Sequence, residues 1–287
     1  MSLMRHVTDC NRADLADFHP FHVDGRRLGW VRSRVARRLA DFPGVFQVDR
    51  QAVTLAETLT TPEARTAAVA EVLPRLVEDG LIGALRGEPY RVTTAWAAPD
   101  AFTLDRAAAS LFGVLSFGVH LNGWRRLDDG RLALWIAQRN PAKAVAPGKL
   151  DNLAAGGQPA GLSLRENMLK EVAEEASLGP EVAQAMIPTG AIAYRMATGH
   201  GLRRDVLFTF DLEVPADVTP TPGDDEVAGF HLMEAEQVLC RIRESDDFKF
   251  NVNLVIAHFA LRHGLLSPDN EPDYQALAHG LAGPADL

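Results

Sequence analysis

A glycine-rich loop that leads into a short helix constrains the fold of this chain more than any other stretch. Residues 156–178 read GGQPAGLSLRENMLKEVAEEASL. The loop glycines, at positions 156, 157 and 161, permit positive φ and a close approach of backbone to ligand. Ser163 and Glu166 form an S-x-x-E capping box, which predicts that the helix begins near Ser163. The apolar stripe predicted to be buried comprises Leu164, Met168, Leu169, Val172 and Ala176.

Three glutamates on this helix indicate a chemical use for negative charge. Glu171, Glu174 and Glu175 have the spacing i, i+3 and i+4, which predicts that they share one helical face beside the loop or solvent. Like charges at this spacing repel by roughly a few tenths of a kcal/mol per pair. A hard divalent cation such as Mg²⁺, which prefers oxygen ligands, would offset that repulsion.

These residues resemble the Nudix box, G-x5-E-x7-R-E-U-x-E-E-x-G-U, in which U is aliphatic. Gly156 stands at the first glycine, and 13 residues separate it from Lys170 at the arginine position. The further matches in register are Glu171, Val172, Glu174, Glu175 and Leu178. Three residues depart from the pattern, with Leu162 at the first glutamate, Lys170 at the arginine and Ser177 at the last glycine.

The resemblance implies an α/β fold, namely a Nudix-type α/β/α sandwich with a mixed sheet. It also implies bound Mg²⁺, with Mn²⁺ as an alternative. The implied metal ligands are Glu171, Glu174, Glu175 and the carbonyl group of Gly156. Lys170 would pair with these carboxylates, although lysine cannot reproduce the bidentate fork of arginine. Leu162 removes one carboxylate that a base or ligand at that position would need.

Other candidates lie outside the box. Many relatives of the box use a further acid as metal ligand or general base. Glu226 is the first candidate and completes a predicted catalytic set with Lys170 and the three glutamates. Asp224 and Asp225 come second, and a polar turn without a chemical role is the alternative. The predicted substrate-binding residues are Arg139, Lys149 and Gly157. Weaker candidates, for which surface or packing roles are the alternative, are Arg195, Arg203, Arg204, His120 and His200.

The flanking sequence resembles one branch of that family. The runs that carry this likeness are LWIAQRN, PGKLDNLAAGGQPAG, GHGLRRDVLFTFDLEVP and GDDEVAGFHLM. The branch carries an N-terminal domain of unknown function and is sometimes fused to thiamine pyrophosphokinase. The likeness therefore implies substrates of the thiamine diphosphate type, including damaged forms of that cofactor.

Length and composition narrow the remaining possibilities. A chain of 287 residues suits one or two domains. A net charge of −9 argues against a dedicated nucleic-acid binder. No membrane segment or signal peptide is expected, because no apolar run of about 18 residues is present and the N-terminus lacks an apolar core. Cys10 and Cys240 form no disulfide framework, which fits a reducing cytoplasm.

Residues 1–112 are expected to form a smaller α+β domain. Hairpins are predicted around Asp24-Gly25, with four residues between the strands and hence a looser turn, and around Asp49-Arg50. A helix is predicted to begin after the N-cap Thr61 and to end near Gly80. This region also contains a basic cluster of Arg26, Arg27, Arg32, Arg34, Arg37 and Arg38. Such a cluster binds an anionic partner or, more simply, forms a solvated surface. A winged helix around RGEPYRV is a further alternative.

Residues 113–266 are expected to form the Nudix domain, with an extended tail at 267–287. Strands are predicted at 114–121 and 132–138, with a turn signal at Asn122-Gly123 between them. Further strands are predicted at 190–196, 206–214 and 227–233, and helices at 234–243 and 251–263. Strands interleaved with helices fit a layered α/β/α sandwich.

The sequence therefore predicts a Mg²⁺-dependent Nudix hydrolase that cleaves a diphosphate bond by attack of metal-activated water on phosphorus. The expected partner is a small-molecule diphosphate rather than a nucleic acid or a membrane, and a homodimer is left open. One alternative is a non-catalytic Nudix-like module that binds a nucleotide or diphosphate, which Leu162 and Lys170 favour slightly. The other is a nucleic-acid role for the N-terminal domain.

Overall fold

Separate hydrophobic cores organise the chain in the computed structural model, which describes residues 2–143 and 145–287. One core draws its buried side chains from residues 21–114 and defines the N-terminal domain. Two further cores cover the two faces of a large sheet in the second domain. The change from one core to the next occurs close to the predicted boundary at residue 112.

The N-terminal domain consists of two hairpins, three helices and a second small sheet. A short helix, α1 (Met4–Cys10), precedes it. The elements are β1 (Phe18–Val23), β2 (Arg26–Arg32), α2 (Ser33–Leu39), β3 (Phe46–Val48), β4 (Val53–Leu55), α3 (Pro62–Glu78), β5 (Pro89–Val92), β6 (Phe102–Asp105), a 3-10 turn (Arg106–Ala108) and α4 (Ala109–Phe112). The larger sheet has the order β2-β1-β4-β3, and β5 pairs with β6.

Local signals in this domain place its elements where the sequence predicts them. The first hairpin is where the sequence predicts it but is tighter, since β2 begins at Arg26 and Asp24 and Gly25, with φ of 49° and 72°, form a two-residue turn. The Thr61 side chain accepts a hydrogen bond from the Ala64 N–H at 3.2 Å and caps α3. Gly80 follows the helix with a φ of 67°. Turn chemistry and capping therefore suffice to define these boundaries.

The second domain is built on a mixed sheet. Its elements are β7 (Leu115–Arg126), β8 (Leu132–Arg139), β9 (Leu150–Asp151), β10 (Ala154–Gly157), α5 (Leu164–Ala176), α6 (Pro180–Ala183), β11 (Ile187–Thr198), β12 (Gly201–Glu213), β13 (Val227–Glu234), α7 (Ala235–Glu244), α8 (Val252–Arg262) and α9 (Tyr274–Gly280). The strand order is β11-β12-β7-β8-β13, with β10 on β7 and β9 on β8. Strands β12 and β7 are parallel, and the other pairs are antiparallel.

Helices cover both faces of this sheet. Helix α5 packs on one face through Met168 and Val172, against Val119 of β7 and Phe210 of β12. Helices α7 and α8 pack on the other face, against Leu207 and its neighbours. The result is the predicted α/β/α sandwich with a mixed sheet. Within the described ranges, no helix is both long enough and apolar enough to cross a bilayer.

Three sequence predictions differ from the structure. The Asn122-Gly123 pair lies inside β7 rather than in a turn, because Leu153 packs where a Cβ atom at position 123 would be. The tail is not simply extended, since residues 274–280 form α9 and Leu277 and Leu281 join the core of the second domain. Helix α1, assigned by sequence to the N-terminal domain, contributes Val7 to that same core.

Part of the basic cluster joins the two domains. Arg32 donates to the carbonyl of Thr198 at 2.8 Å, and Arg34 donates to the carbonyl of Gly199 at 2.7 Å. Both acceptors lie at the turn between β11 and β12. In the opposite direction, Arg204 of β12 donates to the carbonyl of Leu28 at 2.9 Å. These arginines therefore have a structural use in the domain interface.

Candidate active site

Helix α5 begins at the predicted capping box. The Ser163 hydroxyl accepts from the Glu166 N–H at 3.2 Å, and the Glu166 carboxylate accepts from the Ser163 N–H at 2.8 Å. The helix ends at Ser177, which has a φ of 51° at the position where the box pattern has glycine. Both ends and the buried stripe therefore fix the helix against the sheet.

Glu171 lies against the glycine strand β10. A Cβ atom on Gly156 would be 2.7 Å from Cγ of Glu171 and would overlap its carboxylate. The side chain of Glu171 is only 14% exposed, and its nearest cation is Lys170 at 3.5 Å. Desolvation raises the pKa of Glu171, and the charge of Lys170 opposes that shift. Glycine at position 156 is therefore what lets this carboxylate reach the strand.

Glu175 is buried beside Glu171. The residue is 6% exposed, and its Oε2 accepts a hydrogen bond from the Ala155 N–H at 2.9 Å. Desolvation raises the pKa of this carboxyl well above its usual range, and Asp151, Glu171 and Glu226 add to the effect. No basic side chain in the described part of the chain forms an ion pair with Glu175. The site thus holds negative charge without a matching cation.

Glu174 does not join the other two glutamates. Its side chain is 50% exposed, and Lys170 contacts it at 2.6 Å. Successive helical residues are turned by about 100°, so Glu174 points well away from Glu175 although both follow Glu171 by about one turn. Glu171 and Glu175 therefore face the glycine stretch and Glu174 faces solvent, so the three glutamates do not share one face as the spacing predicts.

Backbone geometry favours Ala155 over Gly156 as a carbonyl ligand. In an antiparallel strand, alternate residues direct both N–H and C=O to the same neighbour. Gln158 donates its N–H to Phe117 of β7 at 2.9 Å, so Gly156, two residues earlier, also faces β7. Ala155 points the other way, since its N–H reaches Glu175. The Gly156 carbonyl is therefore directed at β7, so its assignment as a metal ligand gains no support from this position and stays a prediction.

The residues present fit a hard cation held by two carboxylates. Within residues 2–143 and 145–287, no three acidic, histidine or cysteine side chains form a ready metal-binding group. Glu171, Glu175 and the Ala155 carbonyl nevertheless offer oxygen donors at one place, with buried charge that a cation would neutralise. Mg²⁺ is commonly bound through one or two carboxylates, with water and substrate phosphates completing its octahedron.

Comparison with known proteins decides the family. The chain is 39% identical over 275 residues to "Nudix hydrolase 24, chloroplastic" of Arabidopsis thaliana, covering 94% of this chain and 75% of that protein. It is 38% identical over 275 residues to "Nudix hydrolase 20, chloroplastic" of the same plant, covering 92% and 73%. The chain belongs to the Nudix hydrolase family. It is therefore an enzyme of the class that hydrolyses diphosphate bonds.

The other comparisons are less close. A family model described as a domain of unknown function, DUF4743, matches residues 2–116. Among solved structures, DR0079 from Deinococcus radiodurans has a TM-score of 0.46 and 18% identity, covering 59% of this chain and 97% of that one. A MutT protein from Methanosarcina mazei has a TM-score of 0.39 and 18% identity, covering 52% and 95%.

The predicted acid outside the Nudix box lies near the buried pair. Glu226 precedes β13, forms an ion pair with Lys143 at 3.2 Å and contributes to the raised pKa of Glu175. Asp224 accepts the Glu226 N–H at 2.7 Å and so shapes the loop, and Asp225 is exposed. A chemical role for Glu226 stays a prediction, which its electrostatic effect on Glu175 supports.

The predicted phosphate-binding cations of the Nudix domain already contact other groups of the protein. Arg139 contacts the buried Asp151 at 3.0 Å, and Lys149 donates to the carbonyl of Asp246. Neither assignment as a substrate-binding residue gains support from these positions, because closeness in sequence to the loop does not direct a side chain into it. The weaker arginine candidates are paired as well, in Arg195–Asp286 and Arg203–Asp205 contacts and in the carbonyl contacts of Arg204.

Sequence reasoning missed a buried polar network on the α8 face of the sheet. His120 Nδ1 lies 2.8 Å from the Asn152 side-chain oxygen, and Asn152 donates to Asn122 at 3.0 Å. Asn122 donates to Asp211, which also receives two hydrogen bonds from Arg262. His120 is therefore a packed residue, whereas His200 is exposed at a turn. The only sequence signal was polar residues within apolar strands.

Asp151 was missed for the same reason. This buried carboxylate contacts Arg139 at 3.0 Å and Lys249 at 3.2 Å. Desolvation would raise its pKa, but Lys249 and Arg139 hold that pKa below its usual value. The charge of Asp151 is therefore compensated by cations, whereas that of Glu175 is not. Asp151 is close enough to Glu175 to contribute to its raised pKa.

Proposed function

We propose that this Nudix hydrolase is a Mg²⁺-dependent diphosphatase acting on a small molecule of the thiamine diphosphate type, including damaged forms of that cofactor. The products would be thiamine monophosphate, or its analogue, and phosphate. Mn²⁺ is an alternative metal. The observation that carries the proposal is the placement of two carboxylates against β10, where Glu175 is buried without an ion pair and the mostly buried Glu171 contacts only Lys170 at 3.5 Å.

The chain supplies binding and orientation at this place. Glu171 and Glu175 would hold the cation, and the Ala155 N–H fixes the Glu175 carboxylate in position. A bound Mg²⁺ would polarise phosphoryl oxygens and lower the pKa of a water molecule. Lys170 would keep Glu174 turned outward through their 2.6 Å contact. Glu226, whose charge contributes to the raised pKa of Glu175, would accept a proton from the attacking water.

An aromatic cluster beside the glycine loop supports a substrate with a flat heteroaromatic group. Trp96 of the N-terminal domain packs edge-on against Phe117 and Phe208, each with ring centroids 5.3 Å apart. Trp96 and Phe208 are only partly buried, and the Phe117 carbonyl bonds the loop residue Gln158. Pockets for small ligands are commonly lined with such rings.

We also infer a reducing compartment, as in the cytoplasm, and no nucleic-acid or membrane partner. Cys10 is buried and Cys240 is exposed, and both are free thiols. The net charge of −9 is unfavourable for a polyanion partner. The site is compatible with either a monomer or a homodimer, because both carboxylates come from one helix.

The test is a substrate panel with Mg²⁺. Purified protein is incubated with thiamine diphosphate, its oxidised forms, nucleotide sugars and dinucleoside polyphosphates, and released phosphate and monophosphates are measured. Turnover should be greatest for the thiamine diphosphate type and should stop when Mg²⁺ is chelated. Turnover of another class alone would overturn the substrate assignment. Tight binding without turnover of any compound would instead indicate a non-catalytic module and would overturn the activity.

A further inference from the structure

Two side chains of the N-terminal domain reach the glycine strand of the Nudix domain. A Cβ atom on Gly157 would lie 2.8 Å from Cζ of Tyr90 and 3.2 Å from Cζ of Arg106. The loop is also bonded to this domain through the Ala160 N–H, which donates to the Pro89 carbonyl at 2.8 Å. The N-terminal domain therefore forms one wall of the candidate active site.

Arg106 and Glu171 flank the same two residues. Consecutive residues of a strand direct their side-chain positions to opposite faces. Gly156 is directed at the Glu171 carboxylate, and Gly157 at the Arg106 guanidinium and the Tyr90 ring. Arg106 is also among the charges that oppose the raised pKa of Glu171, whose main cause is desolvation. The guanidinium is thus within electrostatic reach of a proposed metal ligand.

Arg106 retains hydrogen-bonding capacity. Its side chain is 49% exposed, and Nη1 donates to Glu88 at 2.9 Å. Guanidinium has five N–H donors, and no other donor of Arg106 has a partner among the residues that the structure describes. The Tyr90 hydroxyl, also at the glycine strand, likewise has no hydrogen-bond partner within those residues.

The chemistry of the site calls for such a cation. A diphosphate that approaches Glu171 and Glu175 meets two carboxylates whose single paired cation is Lys170, which also contacts Glu174. Arg139 and Lys149 already contact other groups. Arginine binds phosphate oxygens through two parallel N–H bonds, which gives both attraction and orientation. Arg106 is the arginine at the glycine strand with exposed, unused donors.

We propose that Arg106 binds the diphosphate of the substrate across Gly157, with Tyr90 as a neighbouring hydrogen-bond donor, so that the N-terminal domain completes the active site. This inference rests on the proposed diphosphatase function. It assigns to the domain of unknown function a direct part in substrate binding. The Glu88 carboxylate, which accepts from Nη1 of Arg106, would compete with the phosphate for this guanidinium.

The experiment compares Arg106→Ala, Arg106→Lys and the wild type. Binding of methylenediphosphonate in the presence of Mg²⁺ is measured by calorimetry, and KM and kcat are measured with the best substrate. Arg106→Ala should weaken diphosphonate binding and raise KM by about 10- to 100-fold, with a smaller change in kcat. Arg106→Lys should recover part of the affinity, because the charge remains without the fork.

Two controls distinguish a direct role of Arg106 in ligand binding from a purely structural role. Arg75→Ala removes an exposed, ion-paired arginine of the same domain, whose partner is Glu78 at 2.8 Å, and should change nothing. Glu88→Gln removes the ion-pair partner of Arg106 but leaves the guanidinium, so affinity should be kept or increased. If Glu88→Gln weakens binding as much as Arg106→Ala, the pair is structural and the proposal is overturned.

The outcomes also separate this proposal from the proposed function. Wild-type affinity in Arg106→Ala, or no diphosphonate binding by the wild type at millimolar concentration, would overturn the role of Arg106. Hydrolysis that is absent while diphosphonate binding depends on Arg106 would overturn the activity alone. Unfolding temperatures measured beside each assay identify a variant that fails to fold. In that case, diphosphonate binding by Tyr90→Phe gives an independent test of this side of the site.

Discussion

The Glu171 carboxylate occupies the space that a side chain on Gly156 would need. A Cβ atom at position 156 would be 2.7 Å from Cγ of Glu171, and closer still to its carboxylate group. Glycine at this position therefore has a steric reason that concerns the neighbouring helix. The glycine that begins the Nudix box and the first glutamate of its acidic group form one packed unit.

Gly156→Ala should displace Glu171 and lower kcat by roughly 100-fold, because small misplacements of a reacting group are costly. The protein should still fold, because the atoms that must move belong to a flexible side chain and not to the backbone. A matched control is Gly44→Ala, where a Cβ atom would meet nothing within 4 Å. Steady-state kinetics on both variants check this, and equal activity of the two would show that Glu171 needs no such position.

Glu175→Gln should lower kcat by roughly 100-fold or more, whereas Glu174→Gln should lower it by less than about tenfold. The reason is position, since Glu175 is buried beside Glu171 and Glu174 is half-exposed beside Lys170. In the absence of metal, Glu175→Gln should keep or raise the unfolding temperature, because it removes an uncompensated buried charge. Kinetics and thermal unfolding test both parts, and a larger loss in Glu174→Gln would reverse the assignment.

Ser177→Gly should stabilise the protein. Ser177 has a φ of 51°, in the left-handed region that glycine adopts without strain. We expect a gain of about 1 kcal/mol in the free energy of unfolding, seen as a rise of about 2 °C in Tm. Ser177→Ala keeps the strain and should give no gain. A lower Tm for Ser177→Gly would mean that the serine hydroxyl makes a contact worth more than the strain.

Acid should destabilise the protein through His120. Burial lowers the pKa of His120 from 6.5 to about 4. The folded state therefore favours the neutral ring, and this contribution is fully present above pH 6.5 and is lost as the pH falls toward 4. The loss would be at most roughly 3 kcal/mol for this residue. Thermal unfolding from pH 7 to 4 should show a shallower decline for His120→Gln than for the wild type, with exposed His200→Gln as control. Identical slopes for His120→Gln and the wild type would contradict this account.

The sequence predicts those parts of the fold that local chemistry determines. The capping box at Ser163, the N-cap at Thr61 and the Asp24-Gly25 turn each act within a few residues, and all three are confirmed. The turn signal at Asn122-Gly123 fails for a non-local reason. Asn122 bonds Asp211 on the next strand, and Leu153 fills the space above Gly123, so tertiary packing keeps both residues extended.

The candidate site divides in the same way. Spacing along one helix finds Glu171 and Glu175, because both positions depend only on helical geometry. Spacing cannot show that Glu174 turns outward to Lys170, or that Arg139 is used by Asp151. Nor can it place Arg106 beside Gly157, since 50 positions separate them and the contact forms only when the two domains pack.

The most direct test of the central claim is a crystal structure with Mn²⁺ and methylenediphosphonate, with the metal located by its anomalous scattering. We expect one strong peak at about 2.1–2.3 Å from carboxylate oxygens of both Glu171 and Glu175, with diphosphonate oxygens on its open side. A peak held by Glu174 without the buried pair, or no peak near α5 at saturating Mn²⁺, would contradict the account.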